Sequence, residues 1–417
     1  MKTMRTVVSN QRKERDMLLS RPYLSRHIMY DVTSLLASRR IKLITGPRRA
    51  GKSTEALLML KGHNFAYLNF DDGKLLSSWD DDLVLESLQM VYPGFEYLLL
   101  DEVQNLDGWD LWVSKLYRLG VNMIITGSNA KLLSSEMATL LTGRYIQIEM
   151  LPFSLSEFFL WNQKALSDIP EAEVAAAQSL MDDYLHLGGY PETVVARSLT
   201  QNYLSTLFDS IVWKDIAQRH NVRNVEDLNN MALYLISNFC NPFSANELAD
   251  ALGFASVATA KKFMGYLQEP YLFFYLPRYN NKLKIMKKAP RKAYVVDNGF
   301  VAAKAFSVSD NLGRLLENQV FVELMRRGYD AEKSLFYYRS RNDKEVDFVT
   351  RQGTHVESLI QVCYDMTSER TLKREVDSLV ECAGELKCSQ LLIVTMSEER
   401  IIEKNGLEIK VVPIHKF

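Results

Sequence analysis

The residues Gly46-Pro47-Arg48-Arg49-Ala50-Gly51-Lys52-Ser53 fit the pattern G-x-x-x-x-G-K-[ST], and no other stretch constrains the fold as tightly. Ahead of them runs Ile41-Lys42-Leu43-Ile44-Thr45, an apolar, β-branched stretch that predicts a strand. Behind them, Thr54-Glu55-Ala56-Leu57-Leu58-Met59-Leu60 predicts a helix. Strand, loop and helix in this order make the phosphate-binding loop of nucleoside triphosphatases. The glycines let backbone N–H groups curl around phosphates, and the positive end of the helix dipole favours an anion. Lys52 is expected to reach the β- and γ-phosphates and Ser53 to ligate Mg²⁺, with residues 46–54 forming the ATP cradle.

A chain of 417 residues exceeds a single core and predicts roughly two to four domains. Its 47% hydrophobic and 24% charged content is that of an ordinary globular protein. The formal net charge of −1 excludes a strong global pull toward nucleic acid or membrane, so any such affinity must be local. Cys240, Cys363, Cys382 and Cys388 are widely spread with no C-x-x-C pair, which argues for reduced thiols rather than zinc or disulfides. No signal core follows the basic N-terminus, and no run of about 18 apolar residues occurs. The expectation is a cytoplasmic protein without a membrane segment.

Tyr97-Leu98-Leu99-Leu100-Asp101-Glu102 is an apolar run ending in two carboxylates. Such runs suit parallel strands buried on both faces, whose C-terminal ends carry the ligand site. Asp101 is the candidate for the Mg²⁺ shell, and Glu102 for polarising the attacking water. The next strand, Asn122-Met123-Ile124-Ile125-Thr126, ends in Gly127-Ser128-Asn129. Asn129 and Ser128 are both candidates to sense the γ-phosphate, beside the plainer reading of a Gly/Ser/Asn turn. Arg144 precedes the strand Tyr145 to Met150 and is a candidate arginine finger, in its own chain or across a subunit interface. The second option predicts homo-oligomers.

With these motifs in place, GPRRAGKST, YLLLDE, ITGSN, LTGRY and Leu151-Pro152-Phe153-Ser154-Leu155-Ser156-Glu157-Phe158 together resemble a family of prokaryotic AAA+ ATPases joined to a C-terminal domain of unknown function. The resemblance implies a five-stranded parallel core. It extends to Leu187-Gly188-Gly189-Tyr190-Pro191-Glu192 and to Trp213-Lys214-Asp215-Ile216-Ala217-Gln218-Arg219.

From Leu151 to about Val225 a helical, aromatic-rich pattern predicts a lid. Ser244-Ala245-Asn246-Glu247 is a capping box opening a short helix, and Ser256 caps a second helix, Val257 to Leu267. Tyr271 to Leu276 and Lys284-Ile285-Met286 read as strands, completing a winged helix. Its hairpin is basic: Lys282, Lys284, Lys287, Lys288, Arg291 and Lys292. One reading puts the second helix in a DNA groove and the hairpin on phosphates. The other makes the module a packing surface, since Thr259, Lys261 and Lys262 are the few base-reading candidates on that helix.

In the last third a helix from Leu312 to Arg327 precedes strands Leu335 to Tyr338, Glu345 to Val349 and Leu359 to Cys363. A helix from Ser368 to Glu381, a buried strand Leu391 to Thr395 and an edge strand Ile409 to Ile414 follow, the last called an edge because of Pro413. This arrangement looks like the PD-(D/E)xK restriction-endonuclease-like fold. That resemblance makes Glu317, Asp347 and Gln361 a candidate metal-binding set. The position of the fold's lysine is Cys363, a neutral thiol, with Lys344 as a substitute on another segment. A vestigial nuclease site is the expectation.

The expected fold class is therefore α/β: a P-loop, AAA+ type parallel core over residues 1–150, a helical lid over 151–225, a winged helix over 226–292 and a nuclease-like α/β domain over 293–417. The expected function is ATP hydrolysis that moves the downstream domains. Its alternatives are an ATP-gated, Mg²⁺-dependent DNA nuclease and a slow nucleotide-dependent binding switch.

Overall fold

The computed structural model describes residues 4–128, 141, 143–164, 166, 173–306 and 311–417. The chain forms two compact units, Met1–Leu151 with Glu269–Tyr271, and Pro152–Gln268 with Leu272–Phe417.

The first unit is built on strands β1 (Ile41–Thr45), β2 (Phe65–Asn69), β3 (Tyr97–Asp101), β4 (Asn122–Gly127) and β5 (Tyr145–Glu149). Their order is β2-β3-β4-β1-β5, and every neighbouring pair is parallel. The expected five-stranded parallel core is present. Side chains alternate between two buried layers: Leu98, Leu100, Met123 and Ile125 pack in one, Tyr67, Leu99, Ile124 and Ile44 in the other. Helices cover both faces, which is why these strands read as unbroken apolar runs. Parallel pairing also brings the ends of β1, β3 and β4 to one edge, where ligands bind in open α/β sheets.

The sequence analysis leaves the helix Met4–Leu19 unassigned, and the structure gives it a specific task. The buried Gln11 side chain donates to the Asn69 carbonyl at 3.1 Å and accepts the Asn69 N–H at 3.0 Å. One side-chain amide thus satisfies both backbone groups of Asn69 on the exposed rim of β2, an edge that would otherwise invite pairing. The Arg15 guanidinium lies over the rings of Phe65 and Tyr92, 4.7 and 4.9 Å from their centroids.

The second unit opens with helices Leu155–Trp161, Val174–Leu187 and Thr200–Ser210, the last running into a π-helical segment, Ile211–Gln218. Buried Asp297 accepts the Gly189 N–H at 2.7 Å and the Gly299 N–H at 2.9 Å, and burial pushes its carboxyl up to about 6. A Cβ at Gly189 would stand 2.2 Å from the Phe153 carbonyl oxygen. That close approach supplies a packing reason for glycine in the Gly188-Gly189-Tyr190-Pro191 stretch.

Strands β6 (Pro242–Phe243), β7 (Phe273–Pro277) and β8 (Arg291–Val295) form an antiparallel sheet in the order β6-β8-β7. The helices Ala245–Ala251 and Val257–Gln268 accompany it. The Ser244–Glu247 capping box is formed, and Ser256 Oγ accepts the Thr259 N–H at 3.2 Å. The strand expected at Lys284–Met286 is instead a helical turn, Leu283–Met286. Asn280 Oδ1 captures the Lys282 N–H at 2.9 Å, and the Lys282 carbonyl then accepts from Ile285, so the local turn wins over the ladder. Lys292 does not belong to an exposed basic face: it lies in β8, opposite Leu276 of β7, and its side chain is buried.

A six-stranded mixed sheet completes the unit: β9 (Leu335–Arg339), β10 (Glu345–Gln352), β11 (His355–Val362), β12 (Leu391–Thr395), β13 (Arg400–Lys404) and β14 (Leu407–Pro413), in the order β13-β14-β12-β11-β10-β9. The tail strand β14 is therefore interior, not an edge. Its pairing with β13 stops at Val411, so Pro413 lies beyond the last rung, and the following Ile414 N–H supplies the bond to Thr395 O at 2.8 Å. The proline removes nothing from the ladder. The helix Glu369–Leu386 covers one face with Val376, Leu379, Cys382 and Ala383. All four cysteines are buried and free. Among the described residues no helix is long and apolar enough to cross a membrane.

Candidate functional site

β1 ends at Thr45, and the chain then turns through Gly46 into the helix Lys52–Met59. Gly46 has φ +146°, and a Cβ there would lie 2.0 Å from the Met150 carbonyl oxygen, so only glycine fits this turn. Lys52 is buried at the first turn of the helix; its Nζ donates to Pro47 O and to Ser128 Oγ, both at 2.9 Å. It stands 3.7 Å from Glu102 Oε1. Ser53 Oγ donates to Asp101 Oδ1 at 2.6 Å. The strand ends thus bring Lys52, Ser53, Asp101, Glu102 and Ser128 into one constellation.

Asp101 is held by groups that sequence reading missed. Thr126 Oγ1 donates to Asp101 Oδ1 at 2.5 Å, and the Tyr67 hydroxyl to Oδ2 at 3.2 Å. Thr126 was legible as the last polar residue of an apolar strand beside β3. Tyr67 carries no local signal, since β2 is placed against β3 only by the sheet order. Glu102 has φ +54°, a left-handed conformation sparsely occupied by residues other than glycine. Its N–H donates to Thr126 Oγ1 at 3.0 Å, while its carboxylate accepts from Ser128 Oγ at 2.6 Å and from Gln104 Nε2.

The two neighbouring carboxylates are pushed apart. Burial raises Asp101 to about 6 against the hydrogen bonds from Ser53 and Thr126. Burial also works to raise Glu102, but Lys52, Ser128 and Gln104 outweigh it and hold this carboxyl below its ordinary value. Burial lowers Lys52, opposed by the charges of Glu102 and Asp101.

Of the two candidates at the tip of β4, Ser128 is in the constellation; Asn129 lies outside the described residues. Arg144 is not at this end of the sheet. It immediately precedes β5, whose Tyr145 pairs with Ile41 at the start of β1, and its carbonyl accepts the Ile41 N–H at 2.8 Å. Its guanidinium lies over the Tyr117 ring, 5.5 Å from the centroid. At ~3.3 Å per strand residue, the five residues of β1 separate it from the phosphate loop by roughly 15 Å. Arg144 therefore stands at the opposite end of the sheet from its own chain's phosphate loop. Arg26, unremarked in the sequence, donates to the loop's Ala50 carbonyl and to Leu151 O, both at 2.8 Å.

A second charged cluster lies in the other unit. The register between β10 and β9 shifts between Val346 and Val349, an irregularity that re-aims side chains and falls on Asp347. Asp347 Oδ1 accepts from Lys292 Nζ at 3.1 Å, and Glu317 Oε1 accepts from the same Nζ at 2.9 Å. Glu345 Oε1 is 2.8 Å from Nζ. Glu317 and Asp347 meet at one ammonium, and the lysine beside them is neither Lys344 nor at position 363. It comes from β8, far upstream. Gln361 bonds Glu375 at 2.7 Å, and Glu375 belongs to the helix Glu369–Leu386. The Cys363 thiol donates to Asp365 O at 3.2 Å, and burial pushes it up to about 11, which excludes it as a ready nucleophile.

Burial raises Glu317 to about 7, against Lys292 and with Asp347 adding to the rise. A carboxyl raised above its unfolded value of 4.5 keeps its proton longer when folded. Its contribution to stability is complete below that value and is lost as pH rises through about 7. Lys292 and Tyr294 of β8, Asp347 and Glu345 of β10, and Cys240 surround it. Thermal melting of the full chain is expected to show lower stability at pH 8 than at pH 5.5, with a smaller difference in Glu317→Gln; equal differences would contradict the assignment.

Comparison with known proteins matches an AAA domain over residues 38–159, a domain of unknown function (DUF8612) over 178–310 and another (DUF4143) over 312–417. The chain is 32% identical to the uncharacterized protein MJ1544 of Methanocaldococcus jannaschii over 408 residues, covering 93% of this chain and 90% of that one. It is 30% identical over 406 residues to an uncharacterized protein of Haemophilus influenzae, covering 93% and 95%. Among solved structures it resembles the Walker-type ATPase PabY2304 of Pyrococcus abyssi with a TM-score of 0.46 and 15% identity, over 69% of this chain and 99% of that one. DnaA of Aquifex aeolicus bound to AMPPCP follows with a TM-score of 0.30 and 15% identity, over 57% and 84%. The AAA-domain match over residues 38–159 agrees with the parallel sheet and loop geometry of the first unit, and the whole chain belongs to the family of MJ1544 and its Haemophilus relative.

Proposed function

We propose that this protein is an AAA-type ATP hydrolase whose nucleotide state repositions its C-terminal unit. The carrying observation is the convergence of Lys52, Ser53, Asp101, Glu102 and Ser128 at one edge of the parallel sheet. The residues fit ATP with Mg²⁺: a turn at Gly46 closed to any Cβ, a buried lysine, and a hydroxyl already paired with a carboxylate. Ser53 and Asp101 would hold the Mg²⁺, which neutralises phosphate charge when bound. Lys52 binds and orients the phosphates. Glu102, kept ionised by Lys52 and Ser128, accepts the proton of the attacking water. Ser128 positions Glu102, and Asn129 is retained as a proposed partner for the γ-phosphate. Arg144 acts across an interface between copies of the chain.

We read the three-stranded sheet and its helices as a winged-helix-like module, with Lys261 and Lys262 exposed on its second helix, and the six-stranded sheet as nuclease-like. Exposed lysines support a DNA contact that is general rather than base-specific. A slow binding switch is the second reading, favoured by the engagement of Glu102 with Ser128 and Gln104.

Phosphate release from ATP with Mg²⁺, with and without DNA, tests the proposal. Hydrolysis is expected in the unaltered chain and at least a hundredfold less in Lys52→Ala; its absence under both conditions leaves the switch. Asp347→Ala is expected to retain ATPase activity within about twofold, because it belongs to the other cluster and not to the reacting site; a large loss would tie the two clusters together.

A further inference from the structure

An ammonium has three N–H groups, and the cluster around Lys292 offers it three carboxylates. Glu345 Oε1 at 2.8 Å, Glu317 Oε1 at 2.9 Å and Asp347 Oδ1 at 3.1 Å each present one oxygen to Nζ. These oxygens come from β10 and from the helix Leu312–Arg326, whereas Lys292 comes from β8. Nζ therefore stands at the point where all three converge. The lysine side chain is 3% exposed, and its Nζ lies 5.7 Å from the centroid of the Tyr337 ring.

These carboxylates have further partners: Asp347 Oδ2, turned away from Nζ, accepts the Val362 N–H at 3.0 Å, and the Glu317 Oε1 that meets Nζ also accepts from the Tyr294 hydroxyl at 2.7 Å. A divalent ion such as Mg²⁺ would need oxygens at about 2.0–2.1 Å around the same point. It cannot share that point with an ammonium to which each carboxylate already presents an oxygen. The metal implied by a nuclease-like fold does not fit these residues as they stand.

We propose that the Lys292 ammonium is the resident cation of this centre. The centre is a metal-free joint tying β8 to β10 and the helix Leu312–Arg326, and it becomes a divalent-cation site only when the ammonium is removed. A cation is required there because three carboxylates of low exposure converge on one point, and the chain supplies it from its own β8. This goes beyond the ATPase reading and does not depend on it.

The test titrates Mn²⁺ into the full-length chain without nucleotide, following the paramagnetic signal of free Mn²⁺. Any Mn²⁺ held at Asp101 is common to all variants and cancels in the comparison. The unaltered chain and Glu345→Gln are expected to bind the same number of ions. Lys292→Met is expected to bind one more per chain, with a Mn²⁺-dependent rise in melting temperature that the unaltered chain lacks. The double variant Lys292→Met/Asp347→Asn is expected to lose that ion. One ion fewer in Glu345→Gln than in the unaltered chain, or a folded Lys292→Met that gains none, overturns the proposal. Should Lys292→Met not fold, the unaltered chain and Glu345→Gln decide alone: equal numbers support a metal-free centre, and a deficit in Glu345→Gln overturns it. ATP hydrolysis measured on the same preparations reports on the nucleotide site separately.

Discussion

Glu102→Gln is expected to lower the rate of ATP hydrolysis by about 10²–10⁴-fold while leaving ATP bound, the range for removing a positioned general base. The substitution keeps the side chain's size and leaves one amide oxygen, which can replace the acceptor for either Ser128 Oγ or Gln104 Nε2, since these bond different carboxylate oxygens. It removes the negative charge that faces Lys52 at 3.7 Å. Binding should hold or tighten, because Lys52 is then free of a competing carboxylate; hydrolysis should fail, because an amide cannot take the water's proton. A fluorescent nucleotide titration beside a phosphate-release assay separates the two quantities. Normal hydrolysis in Glu102→Gln would remove Glu102 as the base and turn attention to another acceptor.

Lys292→Met should destabilise the C-terminal unit by about 3–5 kcal/mol, the usual cost of breaking a buried ion pair from one side. Methionine matches the lysine's apolar stem but leaves Glu317, Glu345 and Asp347 facing one another without a counter-ion. The cost arises from that unpaired charge more than from lost packing, and a double variant exposes the difference. Adding Glu317→Gln should recover part of the loss, since it removes one of the three like charges. Chemical denaturation of the single and double variants measures this. Additive losses would mean that Lys292 acts through packing alone.

The two predictions differ in how early the sequence announced them. Glu102 was legible because an apolar run ending in two acids, placed after a phosphate loop, admits few other readings. Arg144 was legible as a motif and misleading as a location. Its place before β5 puts it at the wrong end of a parallel sheet, which follows from strand direction rather than residue type. Pro413 misled in a similar way: a proline suggests an edge, yet the partner strand ends before reaching it. The sequence pattern groups Lys292 with the lysines of a basic hairpin and reads Lys284–Met286 as a strand. Local composition cannot show that Asn280 seeds a turn or that β8 points its lysine into a ring of acids.

What the sequence determined alone is what short-range chemistry encodes. The glycines and Lys52-Ser53 of the phosphate loop, the apolar strands buried on both faces, the capping boxes at Ser154 and Ser244, and the acid pair all depend on neighbours within a few positions. Only the tertiary structure decided which distant groups meet. Thr126 and Tyr67 reach Asp101 through strand order, Gln11 satisfies the rim of β2 from the N-terminal helix, and Lys292 closes a cluster with Glu317, 25 positions away, and Asp347, 55 positions away. These contacts are set by sheet order and register, which no local pattern fixes.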